Sequence, residues 1–238
     1  VKPDKKLSVA DVFALHRDWY QGTEFDLSKG LAAGPFGTPN RYGGASKLVK
    51  GAWERAVSVF RCDYSFVAQV RGWLPDPIGA VLWFGPDAPH STAYVPFYCN
   101  HIDLPEAYDS GSHAKFDPNN AFWVHSFAAN WADLKFSYII KDIQAMQNKV
   151  EGRQFAQQPA IENAALQLYK VDPQLAIEFL TEYSNNNANR VVREWWEFGQ
   201  TLITRYNDGY VDGNSVGYPD WWLKEVGYES GPLKHGLK

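Results

Sequence analysis

The sequence predicts a mixed α/β (α+β) fold in which the strands come first and most of the helices follow. Two apolar runs, 57–71 and 78–84, are rich in β-branched and aromatic residues and flank a proline-containing turn, which is typical of a β-hairpin. From Asn120 onwards, apolar residues recur at helical spacing instead. With 238 residues and neither a linker nor an internal repeat, the chain is expected to form one domain.

The first predicted element is a helix that begins after Ser8, a residue type that favours the N-cap position. Apolar residues at positions 9, 12 and 13 lie on one face of it. The pattern predicts that the helix closes at Trp19 and Tyr20, before Gly22.

The segment from His16 to Gly44 is too irregular for a helix or a strand. It reads HRDWYQGTEFDLSKGLAAGPFGTPNRYGG, in which glycines permit unusual backbone angles and prolines stiffen the turns. Long loops of this kind often carry binding groups on a rigid scaffold. Residues 1–56 are therefore interpreted as a helix followed by a glycine-rich loop.

Residues 57–100 are expected to supply the strands. The nearly continuous apolar character of the hairpin predicts burial on both faces of the sheet, as in a layered fold. The extended stretch 91–100 contains Pro96, which argues against a central strand there.

Residues 119–238 are expected to be mostly helical. A helix of roughly 25–30 residues is predicted from Asn120 to a break at Gly152. A second helix covers about 158–169, and Asp172 with Pro173 starts a third. The asparagine-rich run 185–189 is expected to break or cap that helix.

Composition and charge exclude several function classes. The net charge is −4 and no basic block occurs, which argues against nucleic-acid binding. No apolar run approaches the length of a membrane-spanning helix, so no membrane span is expected. His90, His101 and His113 lie in predicted loops and could meet, but no metal-ligand motif is present, so no cofactor or metal is expected.

The two cysteines are poor candidates for a nucleophile. Cys62 lies in a strand pattern, where a small buried apolar role is the simpler reading. Cys99 is followed closely by His101, but near neighbours in an extended chain do not form a catalytic pair. Whether the two cysteines pair with each other is left open.

Other groups allow more than one reading. Asp18, Glu24 and Asp26 flank the glycine-rich loop and could form a carboxylate pair, which suits a glycosidase in a chain that is 16% aromatic. Arg41 lies on the same loop. Its guanidinium could clamp a carboxylate with two hydrogen bonds, or it could form an exposed salt bridge.

Two blocks of the loop carry a resemblance. Residues 17–26, RDWYQGTEFD, and residues 33–41, AGPFGTPNR, resemble the RDHYEGTPFD and AGPFG-P-R blocks of the PepD-like cysteine dipeptidases, which are related to the secernins. Three further segments resemble family elements in the same order: VPFY at 95–98 with Asn100, Phe122 with Trp123, and YPDWW at 218–222.

The resemblance implies an αββα fold of N-terminal-nucleophile hydrolases and hydrolysis of dipeptides by a cysteine exposed through propeptide removal. This chain begins with Val1 and has its single methionine at Met146. It is therefore expected to be the C-terminal part or processed subunit of a longer precursor, with no catalytic residue of its own. Its expected partners are the N-terminal chain that carries the cysteine and the dipeptide substrate, and the heteromer could associate further.

The resemblance also suggests which residues bind substrate. Arg41 precedes the hairpin, as an arginine does in distant relatives of the family, and is the first candidate. Asn40 and Asn100 are candidate donors to an oxyanion, and Asp18 and Glu24 could bind a substrate amino group. A non-catalytic binding or structural protein of the same fold is the alternative. A lysosome-like lumen or secretion is slightly favoured over the cytoplasm.

Overall fold

A three-stranded antiparallel sheet packed against long helices forms the framework, as seen in a computed structural model that describes residues 2–42 and 54–230. The predicted α+β fold class is confirmed. The αββα layering and the single-domain organisation stay predictions. Within the described ranges, no helix is both long and apolar enough to cross a membrane.

The elements follow one another in a simple order. The helices and strands are α1 (Val9–His16), β1 (Tyr64–Val70), α2 (Asp76–Gly79), β2 (Ala80–Pro86), β3 (Val95–Tyr98), α3 (Glu106–Asp109), α4 (Ala121–Ala132), α5 (Phe136–Val171), α6 (Pro173–Tyr206), β4 (Tyr210–Val211), β5 (Asn214–Ser215) and α7 (Asp220–Glu225). Short 3-10 turns occur at Leu31–Ala33, Pro89–Ser91, Asn207–Gly209 and Tyr228–Ser230.

Helix α1 begins where the sequence predicts and ends earlier. The Ser8 side chain accepts the Asp11 backbone N–H, and the Asp11 carboxylate accepts the Ser8 N–H, which completes a capping box. The helix ends at His16, so the predicted closure at Trp19 and Tyr20 is wrong. The helix could not have continued through Tyr20, because Tyr20 adopts a left-handed conformation with φ 66°.

The sheet has the order β1-β2-β3, and the predicted hairpin is confirmed. Its first strand begins at Tyr64 rather than at residue 57. Pro96 lies opposite Trp83 in β3, an edge strand, where a missing N–H is tolerated. The sequence-based expectation that Pro96 does not occupy a central strand is therefore met.

The two faces of the sheet differ in burial. One face packs through Trp83 and Tyr98 into a core with Phe13 of α1 and residues of α5 and α6. On the opposite face of β1, Tyr64, Phe66 and Val70 are 55%, 51% and 77% exposed. The prediction of burial on both faces is therefore wrong for β1 in the described structure.

Helix α5 is continuous from Phe136 to Val171, so the predicted break at Gly152 is wrong. A separate helix, α4, precedes it, and the chain turns between Asp133 and Lys135. Tertiary packing overrides the weak helix propensity of Gly152 and Pro159, because α5 buries an apolar stripe against α4 and α6. Pro159 lies on the exposed side, where water can replace the hydrogen bond that proline cannot make.

Helix α6 starts as predicted, with Asp172 as N-cap and Pro173 in the first turn. The expected break at 185–189 is wrong, because the asparagines make tertiary hydrogen bonds from within the helix. Asn187 Nδ2 donates to Gln154 Oε1 of α5 at 2.6 Å, and Asn185 Nδ2 donates to the Asp103 carbonyl at 2.9 Å. These contacts fix α6 against α5 and the segment that follows β3.

Candidate functional site

The glycine-rich loop borders a large cleft, which we call the loop cleft. It has a volume of about 850 Å³, within the range of ligand pockets. Its walls come from the loop, the start of α5 and the region of α7: Trp19, Gln21, Ser28, Lys29, Gly30, Leu31, Pro35, Phe36, Gly37, Phe136, Ser137, Ile140, Pro219, Trp221 and Glu225.

Local sequence explains how the loop folds against α5. Gly37 has φ 67°, and a Cβ atom there would lie 3.0 Å from the Ser28 carbonyl oxygen. Only glycine combines this left-handed conformation with such a close approach. The Phe36 carbonyl then accepts the Ser137 backbone N–H at 2.9 Å, which docks the loop onto the first turn of α5.

The cleft combines aromatic walls with opposite charges. Trp19 packs edge-on against Phe136 with ring centroids 5.6 Å apart, and Trp221 lines the cleft from α7. Lys29 and Glu225 are exposed and contribute a positive and a negative charge. Such a lining suits a small molecule that carries both charges and an apolar body.

Trp19 and Gln21 also line a second cavity of about 480 Å³, beside α1 and α5. Arg17, His90 and Glu151 contribute to its lining. The Arg17 guanidinium is committed to structure, since it forms a two-point ion pair with Glu151 and also donates to the Pro89 and Thr92 carbonyls. Arg17 therefore helps to tie the RDWYQGTEFD block to the scaffold.

His90 is buried beside this second cavity. Its Nδ1 lies 2.7 Å from Ser58 Oγ, and its backbone N–H donates to the same oxygen at 2.8 Å. Burial lowers the pKa of His90 to about 4, because the charged imidazolium would lose its hydration, and Arg17 adds to this effect. His90 is thus neutral near pH 7.

The first sequence-predicted site residue, Arg41, does not line the loop cleft. Its Nη1 donates to the Thr38 and Asn40 carbonyls, and its Nη2 donates to the Leu27 carbonyl at 2.8 Å. The Arg41 side chain is 6% exposed, and its Nε lies 3.5 Å from Glu54 Oε2. The salt bridge that the sequence allowed is therefore present, but Arg41 itself is buried rather than exposed. Because these donors are directed at the loop's own backbone, the geometry gives Arg41 a loop-tying role, and its predicted contact with substrate stays a prediction.

Asn40 is bound to the end of α4. Its Nδ2 donates to Asp133 Oδ1 at 2.7 Å, and Thr38 Oγ1 donates to the same oxygen at 2.8 Å. The Tyr42 hydroxyl reaches the other carboxylate oxygen. Burial raises the pKa of Asp133, while the Thr38 and Asn40 hydrogen bonds oppose that shift. Asp133 therefore fixes the last part of the glycine-rich loop that the structure describes.

The other predicted site residues are dispersed. Asp18 Oδ1 accepts the Tyr20 backbone N–H at 2.6 Å, as in an Asx turn. Glu24 is exposed on the loop, and Asn100 is exposed beyond the end of β3. Asp26, the third carboxylate of the alternative glycosidase reading, accepts from Ser28. The structure joins none of these to the loop cleft, so their proposed roles stay predictions; Gly43 and Gly44 lie outside the described residues.

Cys62 does not have the surroundings of an activated thiol. Burial raises the pKa of Cys62, whose Sγ donates to the Tyr64 carbonyl at 2.9 Å. Cys99 is exposed and both cysteines are free. His90, His101 and His113 do not meet: His101 Nε2 lies 2.8 Å from Asn185 Oδ1, and His113 stacks on Phe122. In the described part of the chain, no group of three or more His, Cys, Asp or Glu could hold a metal ion.

Sequence reasoning missed the residues that line the loop cleft from other elements. Phe136 and Ser137 come from the start of α5, and Glu225 comes from α7. Trp221 belongs to the YPDWW segment that the resemblance singles out, which was the one available signal. Lys29 lies within the glycine-rich loop itself, so its charge is evident from the sequence.

Comparison with known proteins identifies the family. Residues 1–149 match Peptidase family C69, and this segment includes the glycine-rich loop, the sheet and the start of α5. The chain belongs to Peptidase family C69. The match confirms the predicted kinship, although the C69 segment stops before the YPDWW element at 218–222.

Individual relatives of this C69 chain are named as dipeptidases. A probable dipeptidase of Latilactobacillus sakei is 31% identical over 128 residues, which is 54% of this chain and 24% of that protein. Dipeptidase A of Lactobacillus helveticus is 28% identical over 57% of the chain and 25% of its own length. A probable dipeptidase of Salmonella dublin is 35% identical over 40% of the chain and 18% of its length. The aligned segment thus spans about a quarter or less of these relatives.

Proposed function

We propose that this chain forms the substrate-binding part of a dipeptidase whose cysteine nucleophile lies on a partner chain. One observation carries the proposal: the loop that contains the family blocks also borders the loop cleft. Membership of Peptidase family C69 and kinship with proteins named dipeptidase support the reaction class. Neither cysteine lines the cleft, which supports a nucleophile supplied from outside this chain.

The charges of the cleft suit a dipeptide. A free dipeptide carries an ammonium and a carboxylate at neutral pH, and Lys29 and Glu225 offer one group of each opposite sign. Trp19, Phe36 and Trp221 provide apolar surface for its side chains. In this proposal the chain binds and orients the dipeptide, and the attacking sulfur comes from the partner.

The exposed sheet face is the proposed docking surface for the partner. Tyr64, Phe66 and Val70 lie side by side on one face of β1, and an exposed apolar face of this kind is typical of an interaction surface. An N-terminal chain of the same precursor, which the αββα layering implies, would cover it with a second sheet. Autoprocessing, the further association of the heteromer and its location in a lumen or outside the cell belong to the same proposal.

The first experiment tests the nucleophile. The native preparation is analysed by mass spectrometry and N-terminal sequencing for a second polypeptide that begins with cysteine, and dipeptide hydrolysis is followed with and without a thiol-alkylating reagent. We expect such a polypeptide and loss of hydrolysis on alkylation. Hydrolysis by this chain alone, carrying Cys62→Ser and Cys99→Ser together, would contradict the proposal.

The second experiment tests the cleft. Lys29→Gln in the active preparation should raise KM for dipeptides about tenfold while kcat changes little, because an exposed ionic contact to the bound ligand is lost. Lys149→Gln, at an exposed position of α5 outside the cleft, is the matched control. If Lys29→Gln leaves KM unchanged, the cleft does not hold the substrate.

A non-catalytic binding protein of the same fold is the second candidate. Its supporting observation is that the pKa of Cys62 is raised, the opposite of what a reactive thiolate requires. Absence of any cysteine-initiated polypeptide, together with saturable dipeptide binding and no turnover, would favour this candidate.

A further inference from the structure

Lys135 is a buried lysine with few partners. It lies in the turn between α4 and α5 and is 4% exposed. Its Nζ donates one long hydrogen bond, 3.4 Å, to the Val216 carbonyl and lies 4.2 Å from the centre of the Phe36 ring. Among residues 2–42 and 54–230, no carboxylate lies within 4 Å of this ammonium.

The acidic residues of the neighbouring elements are committed elsewhere. Asp133 accepts from Thr38 and Asn40. Asp142 pairs with Arg205 at 2.9 Å, and Asp212 binds the same arginine at 2.7 Å. Burial lowers the pKa of Lys135, because a desolvated ammonium without a counter-ion is unfavourable. No carboxylate of residues 2–42 and 54–230 therefore pairs with the Lys135 ammonium, where a negative charge would be stabilising.

Lys135 also lines a cavity of about 590 Å³, which we call the lysine cavity. Phe36, Trp131, Tyr206 and Tyr218 give it aromatic walls, and Asp208 contributes an exposed carboxylate. It is distinct from the loop cleft, since of the residues lining the two cavities only Phe36 is shared.

We propose that the lysine cavity binds a free α-amino acid with an apolar side chain, its carboxylate paired with Lys135. The aromatic walls would contact the side chain, and the Asp208 carboxylate would attract the α-ammonium group. A carboxylate satisfies ammonium donors that Val216 leaves unused, and its charge offsets the cost of burying Lys135. This site is separate from the loop cleft, which is the proposed site for the dipeptide. It would bind free amino acids and take no part in dipeptide turnover.

Calorimetric titration with three related ligands tests the assignment. Phenylalanine has both charges, 3-phenylpropionate keeps the carboxylate alone, and phenethylamine keeps the ammonium alone. We expect phenylalanine to bind most tightly, 3-phenylpropionate less tightly and phenethylamine at least tenfold more weakly than phenylalanine. The proposal would be overturned if phenethylamine and phenylalanine bound with equal affinity. It would also be overturned if neither phenylalanine nor 3-phenylpropionate showed saturable binding.

Two variants locate the binding. Lys135→Met retains the aliphatic stem and should weaken 3-phenylpropionate at least tenfold, whereas Lys141→Met on the exposed face of α5 should not. Asp208→Asn, an exposed change that does not depend on the buried lysine, should weaken phenylalanine but not 3-phenylpropionate. Two results would contradict the site. One is 3-phenylpropionate binding of unchanged affinity in folded Lys135→Met, and the other is an unchanged ratio of phenylalanine to 3-phenylpropionate affinity in Asp208→Asn.

A third variant separates this proposal from the loop cleft. Lys29→Gln should leave phenylalanine binding unchanged, since Lys29 lines only the other cavity. Loss of phenylalanine binding in Lys29→Gln would place the amino acid in the loop cleft and reject the lysine cavity, whereas the proposed dipeptidase function would stand.

Discussion

Arg17 and Glu151 lie 134 residues apart in the sequence and form a two-point ion pair, with Arg17 Nη1 2.9 Å from Glu151 Oε2. Glu151 Oε1 also accepts the Tyr94 backbone N–H at 2.9 Å. One carboxylate thus links the segment after α1, the start of β3 and the middle of α5. This contact holds the entrance of the glycine-rich loop against the long helix.

We expect Arg17→Met to lower the free energy of unfolding by about 3–5 kcal/mol, because it leaves Glu151 buried without its counter-ion. Urea unfolding followed by circular dichroism measures the change. The double variant Arg17→Met with Glu151→Leu should recover part of the loss, since it removes both charges. Lys5→Gln, which breaks the exposed pair with Asp11, is the control and should hardly move the midpoint. An equally small effect of Arg17→Met would contradict this role.

Two buried histidines should make the fold sensitive to acid. Burial lowers the pKa of His90 and of His125 to about 4, whereas an unfolded histidine titrates near 6.5. Between these values the unfolded chain binds protons that the native protein does not, so the free energy of unfolding falls as the pH drops from 6.5 to 4. His125→Phe should therefore remove about 2 kcal/mol of the decrease between pH 7 and pH 5.

Asp87 provides a test of opposite sign. Burial raises the pKa of Asp87 to about 7, so its stabilising contribution is present at low pH and is lost as the pH rises towards 7. Asp87→Asn should thus steepen the gain in stability from pH 5 to pH 7. Urea unfolding at both pH values gives the two slopes, and a wild-type slope in both variants would refute the assignment.

The Asp133 carboxylate should control the order of the loop end. Asp133→Ala removes the acceptor for Thr38 and Asn40. We expect the free energy of unfolding to fall by about 2 kcal/mol and amide exchange over residues 38–42 to become faster. Hydrogen exchange with mass spectrometry measures this. Asp117→Ala, in an exposed turn after α3, is a control that should leave residues 38–42 protected. Unchanged exchange in Asp133→Ala would mean that other contacts hold the loop.

Two glycines should respond to alanine in opposite directions. Gly37→Ala places a Cβ atom 3.0 Å from the Ser28 carbonyl oxygen in a residue with φ 67°. The left-handed conformation of an alanine should by itself lower the free energy of unfolding by about 1–2 kcal/mol. Gly152→Ala lies in the middle of α5 with open space around it and should stabilise the protein by about 0.5–1 kcal/mol. Thermal unfolding of both variants measures the two effects. An unchanged unfolding midpoint in Gly37→Ala would show that the loop can adjust.

Local patterns predicted the elements whose signals lie within a few residues. Ser8 marked the start of α1, Asp172 and Pro173 marked the start of α6, and the apolar runs marked the hairpin. The expected breaks at Gly152 and at 185–189 failed for one reason. Helix propensity is a weak preference, and the packing of α5 against α6, with the bond from Asn187 to Gln154, outweighs it.

The amino-acid sequence alone was sufficient to recognise the family, because uncommon residues at a fixed spacing can be identified without a structure. Which residues of the glycine-rich loop line the loop cleft was decided by tertiary contacts. Arg41 is directed at carbonyls of its own loop, whereas Lys29 shares a cleft with Glu225 from α7. Lys135 meets its cavity only because α6 and the segment after it return to the start of α5. Contacts between residues so distant along the chain leave no local pattern, since they depend on how the helices pack.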